Sequence, residues 1–224
     1  MSKINMMNGD CMEHMSSLPD NAYDLAIVDP PYGIGEGGGN NHSRCKLATS
    51  KNYKDFNDKK TMPKEYHDEL RRVSNNQIIW GANHFISKIP YDSSCWIIWD
   101  KINGNTDFAD CELAWTSFQS AARLFRFQWQ GMLQGNMKNK EHRIHPTQKP
   151  VALYKWLLKN YAKPGDKILD THGGSGSICI ACHDMGFDLD WVELDADYYK
   201  SAVERFNLHT AQGSLFEFEG GGIV

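Results

Sequence analysis

The stretch KILDTHGGSGSICIACHDMGFDLDWVELD, Lys167 to Asp195, has the grammar of one βαβ unit. An apolar run ends in an acid at Asp170, a turn containing Gly173, Gly174 and Gly176 follows, and a helix opens near Ser177. A second run, Asp190–Glu193, ends in another acid 23 positions after the first. Strands joined through a helix lie parallel, and the turn then sits at the carboxyl edge of the sheet. Glycines there let a ligand approach the backbone, and an acid closing the second strand can accept from ribose hydroxyls. The pyrophosphate spacing G-x-G-x-x-G is absent; the order is G-G-x-G with an acid three residues earlier. That acid suits a ligand with an amine and a positive charge better than a pyrophosphate, so a dehydrogenase-type site is the weaker reading.

Working outward, short apolar runs alternate with amphipathic segments. INMMNGD (from Ile4), DLAIVDPP (from Asp24), NQIIWGA (from Asn76), CWIIWDK (from Cys95) and ELAWTSF (from Glu112) read as strands. RLFRFQWQ, from Arg123, alternates less cleanly. PKEYHDELRRVS reads as a helix with Pro63 in its first turn. PVALYKWLLKNYAKPGD is helical until Lys163-Pro164-Gly165 breaks it, and ADYYKSAVERFNLHTAQ is the last helix, with Asp195 a plausible cap. This alternation predicts an α/β fold, a mostly parallel sheet with helices on both faces, in one domain over residues 1–224. There is no internal repeat, and the terminal GGGIV reads as frayed.

Composition excludes some classes. Apolar residues make up 41% of 224, enough for a core, yet no run approaches a membrane span. The first residues lack the apolar core of a signal peptide, which reads as cytoplasmic, in a bacterial or phage-infected cell. Six scattered cysteines suggest no disulfide framework. Cys179 and Cys182, with His183, match a haem-attachment string, but on a helix they read as small packing residues. No metal cluster is visible. The net charge of −4 hides an asymmetry: residues 123–149 carry +5 and residues 184–219 carry −7. One face could meet phosphates while another repels them.

The stretch DLAIVDPPYGIGEGGGNNHSR, Asp24 to Arg44, ends a buried run in an acid, two prolines and a tyrosine. With both stretches in view, the chain resembles the S-adenosylmethionine-dependent amino-methyltransferases of DNA, of the N6-adenine type and small phage-like size. Asp29-Pro30-Pro31-Tyr32 resembles the family's catalytic motif, and Asp170 to Gly176 its methionine-binding motif. His145-Pro146-Thr147-Gln148-Lys149-Pro150 and Asn8-Gly9-Asp10 resemble segments of the permuted beta group, in which the catalytic motif precedes the cofactor loop. The resemblance implies a Rossmann-like methyltransferase fold, circularly permuted. It implies S-adenosylmethionine as cofactor, no metal, and duplex DNA with a flipped target base as partner.

The chemistry explains the residue types. An exocyclic amine is a poor nucleophile because its lone pair is delocalised into the ring. A carboxylate (Asp29) and a rigid carbonyl (Pro30) can accept its two hydrogens, Pro31 fixes the turn, and an exposed Tyr32 stacks on the base. A paired base must leave the duplex to reach such a pocket. On the cofactor side, the resemblance implies Asp10 for the adenine amine, Thr147 and Lys149 for the methionine carboxylate, and Glu193 for the ribose. Asp170 lies near the methionine amine, and Gly173, Gly174, Ser175 and Gly176 line the approach. A competing role for Lys149 is a phosphate contact. Where the family has Pro-Phe, this chain has Thr171-His172, so His172 would replace the ring beside the cofactor.

Larger members insert a recognition domain, for which little chain remains. Recognition is expected from loops at 33–60 and 123–143, through Arg44, Lys46, Arg123, Arg126, Lys138, Lys140 and Arg143. Residues 33–44 read as a loop closing over DNA. A homodimer reading a palindrome is a further expectation. The alternatives are an N4-cytosine enzyme, in which Ser often replaces the motif's Asp, an RNA adenine methyltransferase, and a catalytically impaired DNA-binding relic.

Overall fold

The computed structural model describes residues 2–35, 58–89, 91–104, 109–130 and 133–219. Arg44 and Lys46, most of the 33–60 loop and the GGGIV tail lie outside these residues. The strands are β1 (Ile4–Asn8), β2 (Tyr23–Val28), β3 (Ser74–Trp80), β4 (Ile97–Asp100), β5 (Cys111–Thr116), β6 (Arg123–Arg126), β7 (Trp129–Gln130), β8 (Leu133–Gln134), β9 (Lys167–Asp170) and β10 (Asp188–Glu193). The helices are α1 (Cys11–Ser16), α2 (Lys64–Val73), α3 (Val151–Tyr161), α4 (Ser177–Met185) and α5 (Ala196–Glu219).

Eight strands form one sheet in the order β1-β10-β9-β2-β3-β5-β4-β6, and β7 pairs with β8 as a separate antiparallel hairpin. The run β1, β10, β9, β2, β3 is parallel throughout. The exception is β5, antiparallel to both neighbours. Leaving β9, the chain winds outward to β10; leaving β2, it winds the other way to β3. The β9–β2 junction is therefore a topological switch point, where open α/β sheets hold ligands at the carboxyl ends of the strands. Asp170 ends β9, and Asp29 directly follows β2.

Alternation along β2 builds the two faces. Leu25 and Ile27 join Leu153 and Leu157 of α3 and Cys179 and Cys182 of α4 in one core. Ala26 and Val28 join Cys11 and Met15 of α1 and Tyr66, Leu70 and Val73 of α2 in the other. A strand covered on both sides can be apolar at every position, which is why AIV reads as a continuous run. Cys179 and Cys182 are fully buried packing residues, as their helical spacing predicts.

Three local readings need correction. Pro63 is the N-cap of α2, not part of its first turn, with extended backbone at φ −70° and ψ 167°. RLFRFQWQ splits into β6 and β7, because Phe127 bonds back to Asp100 after the ladder ends. The sequence reading also missed α1. The pattern Asp10-x-x-Glu13 is a capping signature that marks it. Asp10 Oδ1 accepts from the amides of Met12 (2.6 Å) and Glu13 (3.4 Å).

Candidate active site

Four acids lie along the carboxyl edge of the parallel strands. Asp10 follows β1, Glu193 ends β10, Asp170 ends β9 and Asp29 follows β2. Two pockets are built around them, one on each side of the switch point.

The first pocket is the glycine turn. Gly174 and Gly176 hold left-handed backbone, at φ +52° and +68°, which a side chain resists. Gly173 is required for a different reason: a Cβ there would lie 1.9 Å from Cε2 of the fully buried Trp191. Gly173→Ala is therefore expected to cost about 1–3 kcal/mol by overpacking, read from the denaturant midpoint, and an unchanged midpoint would contradict it. Each carboxylate oxygen of Glu193 is held by a backbone amide, from Gly174 and Asp195, both at 2.7 Å. This fixes the carboxylate towards the turn and leaves lone pairs for a ligand. Asp195 caps α5, accepting from Asp197 and Tyr198, as its position suggests. Arg205 of α5 anchors the turn by donating to the Ser175 carbonyl and Ser177 Oγ.

Asp170 is buried, and its Oδ1 accepts from the His172 amide at 3.0 Å. Burial, aided by the charges of Asp29 and Glu193, pushes its carboxyl up to about 8. Such a group is uncharged at neutral pH and favours a cation that restores its charge. His172 is the reverse case: burial, with His67 nearby, holds its imidazole down at about 4, so it is a neutral ring. Its Nδ1 is hydrogen-bonded to Thr171 Oγ1 at 2.9 Å, and its ring meets Tyr66 edge-on. The segment 145–150 packs against the turn, with His145 at 3.9 Å from where a Gly174 Cβ would stand. Thr147 is exposed there, bonded to His145 Nδ1.

The second pocket holds the Asp29–Tyr32 motif, and here the structure corrects two expectations. Tyr32 is half-buried rather than exposed. Its hydroxyl donates to Asp29 Oδ1 at 2.6 Å, with Glu112 Oε2 the next acceptor at 3.4 Å. Its ring stacks on the exposed His84, with centroids 5.2 Å apart. The ring lies so close to Gly81 that a Cβ there would be 2.0 Å from it. A phenol next to a carboxylate donates to it rather than facing water. Burial, with Asp29 and Glu112 beside it, holds the hydroxyl well above its usual range.

Lys149 is the second correction. Its hydrogen bonds go to the motif rather than to the glycine turn, although Asp170 beside that turn feels its charge. The ammonium lies fully within the motif pocket, 2.5 Å from Asp29 Oδ2, 3.0 Å from Glu112 Oε2 and 3.1 Å from the Tyr32 hydroxyl. A buried ammonium must find counter-charge, and Asp29 and Glu112 supply it. Burial opposes its charge, but the two carboxylates outweigh burial and raise its pKa. Glu112, on β5, also binds Lys101 at 2.5 Å. Burial alone would raise Glu112, yet Lys149 and Lys101 bring it down to about 2. Two acids and two bases thus form a neutral quartet beside the motif.

The remaining predicted residues fall on the surface beyond the pocket. Arg123 and Arg126 are exposed on β6, and Arg126 pairs with Asp100 at 2.9 Å. Lys138 and Lys140 are exposed in the segment after β8. Arg143 is turned onto its own segment: Nη2 donates to the Pro146 carbonyl, and the guanidinium lies 5.7 Å from the Trp129 ring. It shapes the approach to residues 145–150 instead of projecting outward. Gly33 and Gly35 are held by Asp58, whose side chain and carbonyl take their amides. Glu112, Lys101 and His84 were not legible as site residues in the sequence.

With this geometry in place, comparison with known proteins is informative. A protein-family model described as DNA methylase matches residues 40–204. Among curated proteins, the type II methyltransferase M.HinfI of Haemophilus influenzae is 24% identical over 89% of this chain and 67% of its own. Among solved structures, the M1.HpyAVI–SAM complex has a TM-score of 0.56 at 21% identity, covering 90% of this chain and 99% of that one. The PvuII DNA methyltransferase, cytosine-N4-specific, has a TM-score of 0.60 at 13% identity, covering 92% and 87%. These likenesses show a shared fold.

Proposed function

Because the chain belongs to the DNA methylase family that its match over residues 40–204 defines, we propose that it transfers a methyl group from S-adenosylmethionine to the N6 amine of adenine in DNA. The observation that carries this reading is the carboxylate of Asp29, set at the mouth of the switch point beside Pro30 and Tyr32. The residue is Asp and not the Ser common in N4-cytosine enzymes, which favours adenine.

The glycine-turn pocket fits the cofactor. A buried carboxyl near 8 calls for a ligand cation, Gly173 to Gly176 leave the backbone open, and Glu193 is oriented as an acceptor. Asp170, His172, Glu193 and the Gly173–Gly176 backbone would hold it, with Asp10 and Thr147 at the two ends. When bound, S-adenosylmethionine would supply an electrophilic methyl group, its sulfonium–methyl bond breaking to leave S-adenosylhomocysteine as the amine gives up a proton. Asp29 Oδ1 accepts one amine hydrogen and the Pro30 carbonyl the other, drawing nitrogen towards tetrahedral geometry. Pro31 fixes that carbonyl, and Tyr32 covers the base face. To do so, the Tyr32 hydroxyl must leave Oδ1. The reacting nitrogen is held in line, so alignment supplies much of the rate.

Recognition is assigned to segments 33–60 and 123–143, with Arg44, Lys46, Arg123, Arg126, Lys138 and Lys140 as phosphate or base contacts. Incubating the protein with labelled S-adenosylmethionine and duplexes whose only targets are adenines or cytosines tests the reading. Label in adenine-only duplexes supports it. Label confined to cytosine-only duplexes, or to RNA, replaces it with one of the alternatives.

The cofactor pocket also makes a pH prediction. Asp170 is protonated in the free protein below about 8, and a bound cation favours its carboxylate. Binding at about pH 6–7, below the titration of an α-amine near 7.7–8.0, should therefore release a proton and tighten as pH rises. Calorimetry in buffers of different ionisation enthalpy reads the proton directly. Proton uptake, or affinity that falls over this range, would contradict the assignment.

A further inference from the structure

We propose that Glu112 is a positioning residue of the transfer pocket. It holds the Lys149 ammonium in place and takes over the Tyr32 hydroxyl, releasing Oδ1 of Asp29 to the target amine. The proposal rests on the reading of Asp29 as the amine acceptor.

The geometry supplies both parts. In the free protein each Asp29 oxygen is engaged, Oδ1 by the Tyr32 hydroxyl at 2.6 Å and Oδ2 by Lys149 at 2.5 Å. Each oxygen keeps a lone pair, but an amine reaching Oδ1 meets the Tyr32 hydroxyl already bound there, and Oδ1 accepts more strongly once that partner withdraws. Lys149 is buried, and leaving Asp29 would cost it a counter-charge. Tyr32 has somewhere to go: Glu112 Oε2 is already 3.4 Å from its hydroxyl, so a movement of about 1 Å completes a normal hydrogen bond. The same Oε2 is 3.0 Å from Lys149, so one carboxylate serves both neighbours. Lys101 holds the other oxygen, Oε1, at 2.5 Å and keeps the carboxylate aimed inward.

The groups facing Lys149 come from every side. Asp29 and Tyr32 follow β2, Glu112 lies on β5, and Lys101 follows β4 behind Glu112. The Trp80 ring on β3 lies 5.4 Å away. Asp170 of β9 and His145 of its own segment also feel its charge. Of the acids, Asp29 and Glu112 are in direct contact, so removing Glu112 leaves the ammonium one counter-charge against burial. Its titration must then fall.

The test combines Glu112→Gln with Lys101→Met. In Glu112→Gln the Lys149 ammonium, followed by nitrogen-detected NMR, is expected to titrate about one unit or more lower. The alkaline limb of kcat should fall with it, with up to about a tenfold loss at pH above the lowered titration and little change well below it. Cofactor Kd and the KM for DNA should stay within about twofold, because neither part of the glycine turn has moved. Adding Lys101→Met to Glu112→Gln removes an unpaired cation that repels Lys149, so the titration and the alkaline limb should move back up. A structural lesion would instead worsen with the second substitution. If Glu112→Gln alone fails to bind cofactor, the double variant against Lys101→Met carries the comparison. An unmoved Lys149 titration, or a double variant shifted further down, overturns the proposal. The NMR titration does not need methyl transfer. A wild-type protein that leaves adenine unmethylated therefore refutes the function while Glu112 is still judged separately.

Discussion

Asp29→Ala is expected to lower kcat for methyl transfer by about 10²- to 10³-fold, the usual effect of deleting one preorganised polar partner of a transition state. Cofactor affinity should be nearly unchanged. Asp29 lies on the β2 side of the switch point, whereas the turn that would receive the cofactor is fixed by Glu193, Arg205 and the packing of Gly173 on Trp191. The loss should appear in kcat rather than in KM for DNA, because the carboxylate gains its strongest role as the amine nitrogen becomes tetrahedral. Single-turnover kinetics with labelled cofactor, paired with calorimetry, separates the two quantities. Retained turnover, or turnover lost only through lost cofactor binding, would refute the role.

Lys149→Met has the second large effect, and it acts on folding as well as chemistry. The ammonium is 2% exposed and bridges two carboxylates. Removing it leaves Asp29 and Glu112 close together in a largely buried pocket, with Lys101 paired to Glu112 as the one cation in contact. Breaking a buried pair in this way typically costs about 3–5 kcal/mol. The protein should therefore unfold at markedly lower denaturant. Lys149→Met combined with Glu112→Gln should regain part of that loss, because an uncompensated charge goes with it. Equal midpoints for Lys149→Met and wild type would show that the pair contributes nothing. If Lys149 instead held the cofactor's carboxylate, the main loss would be in cofactor affinity, with little loss of stability.

How far the sequence revealed this site depends on how local each feature is. The βαβ unit at 167–195 was legible because strand, turn, helix and strand follow one another, and the acids end their strands. The buried cysteines of α4 and the Asp195 cap were legible for the same reason. Asp29-Pro30-Pro31-Tyr32 was legible as a motif, but the partners of its side chains were not. Glu112 lies 80 residues from Tyr32, on a strand that reads only as an apolar run with one acid. It reaches the pocket because β5 runs antiparallel between β3 and β4, a pairing that local periodicity does not encode. Lys149 stands in a recognisable segment, yet its direction is set by burial of charge between two distant acids. Tyr32 was expected to be exposed because it stands at a strand end. In the fold, Gly81 and His84 approach its ring.

The quartet also changes how the motif itself is understood. The sequence presents Asp29 as a lone acid at a strand end. In the structure its carboxylate is already held at both oxygens, so the free protein stores the amine's place under the Tyr32 hydroxyl. On the proposed function, base entry and tyrosine release would become one event, with the Tyr32 ring moving from His84 to the base.

The most direct test is the chemical identity of the product. Duplex DNA is methylated by the wild-type protein and by Asp29→Ala, digested to nucleosides and analysed by mass spectrometry. N6-methyladenine is expected from the wild type and almost none from the variant. N4-methylcytosine from the wild type, or equal N6-methyladenine from both proteins, would contradict it.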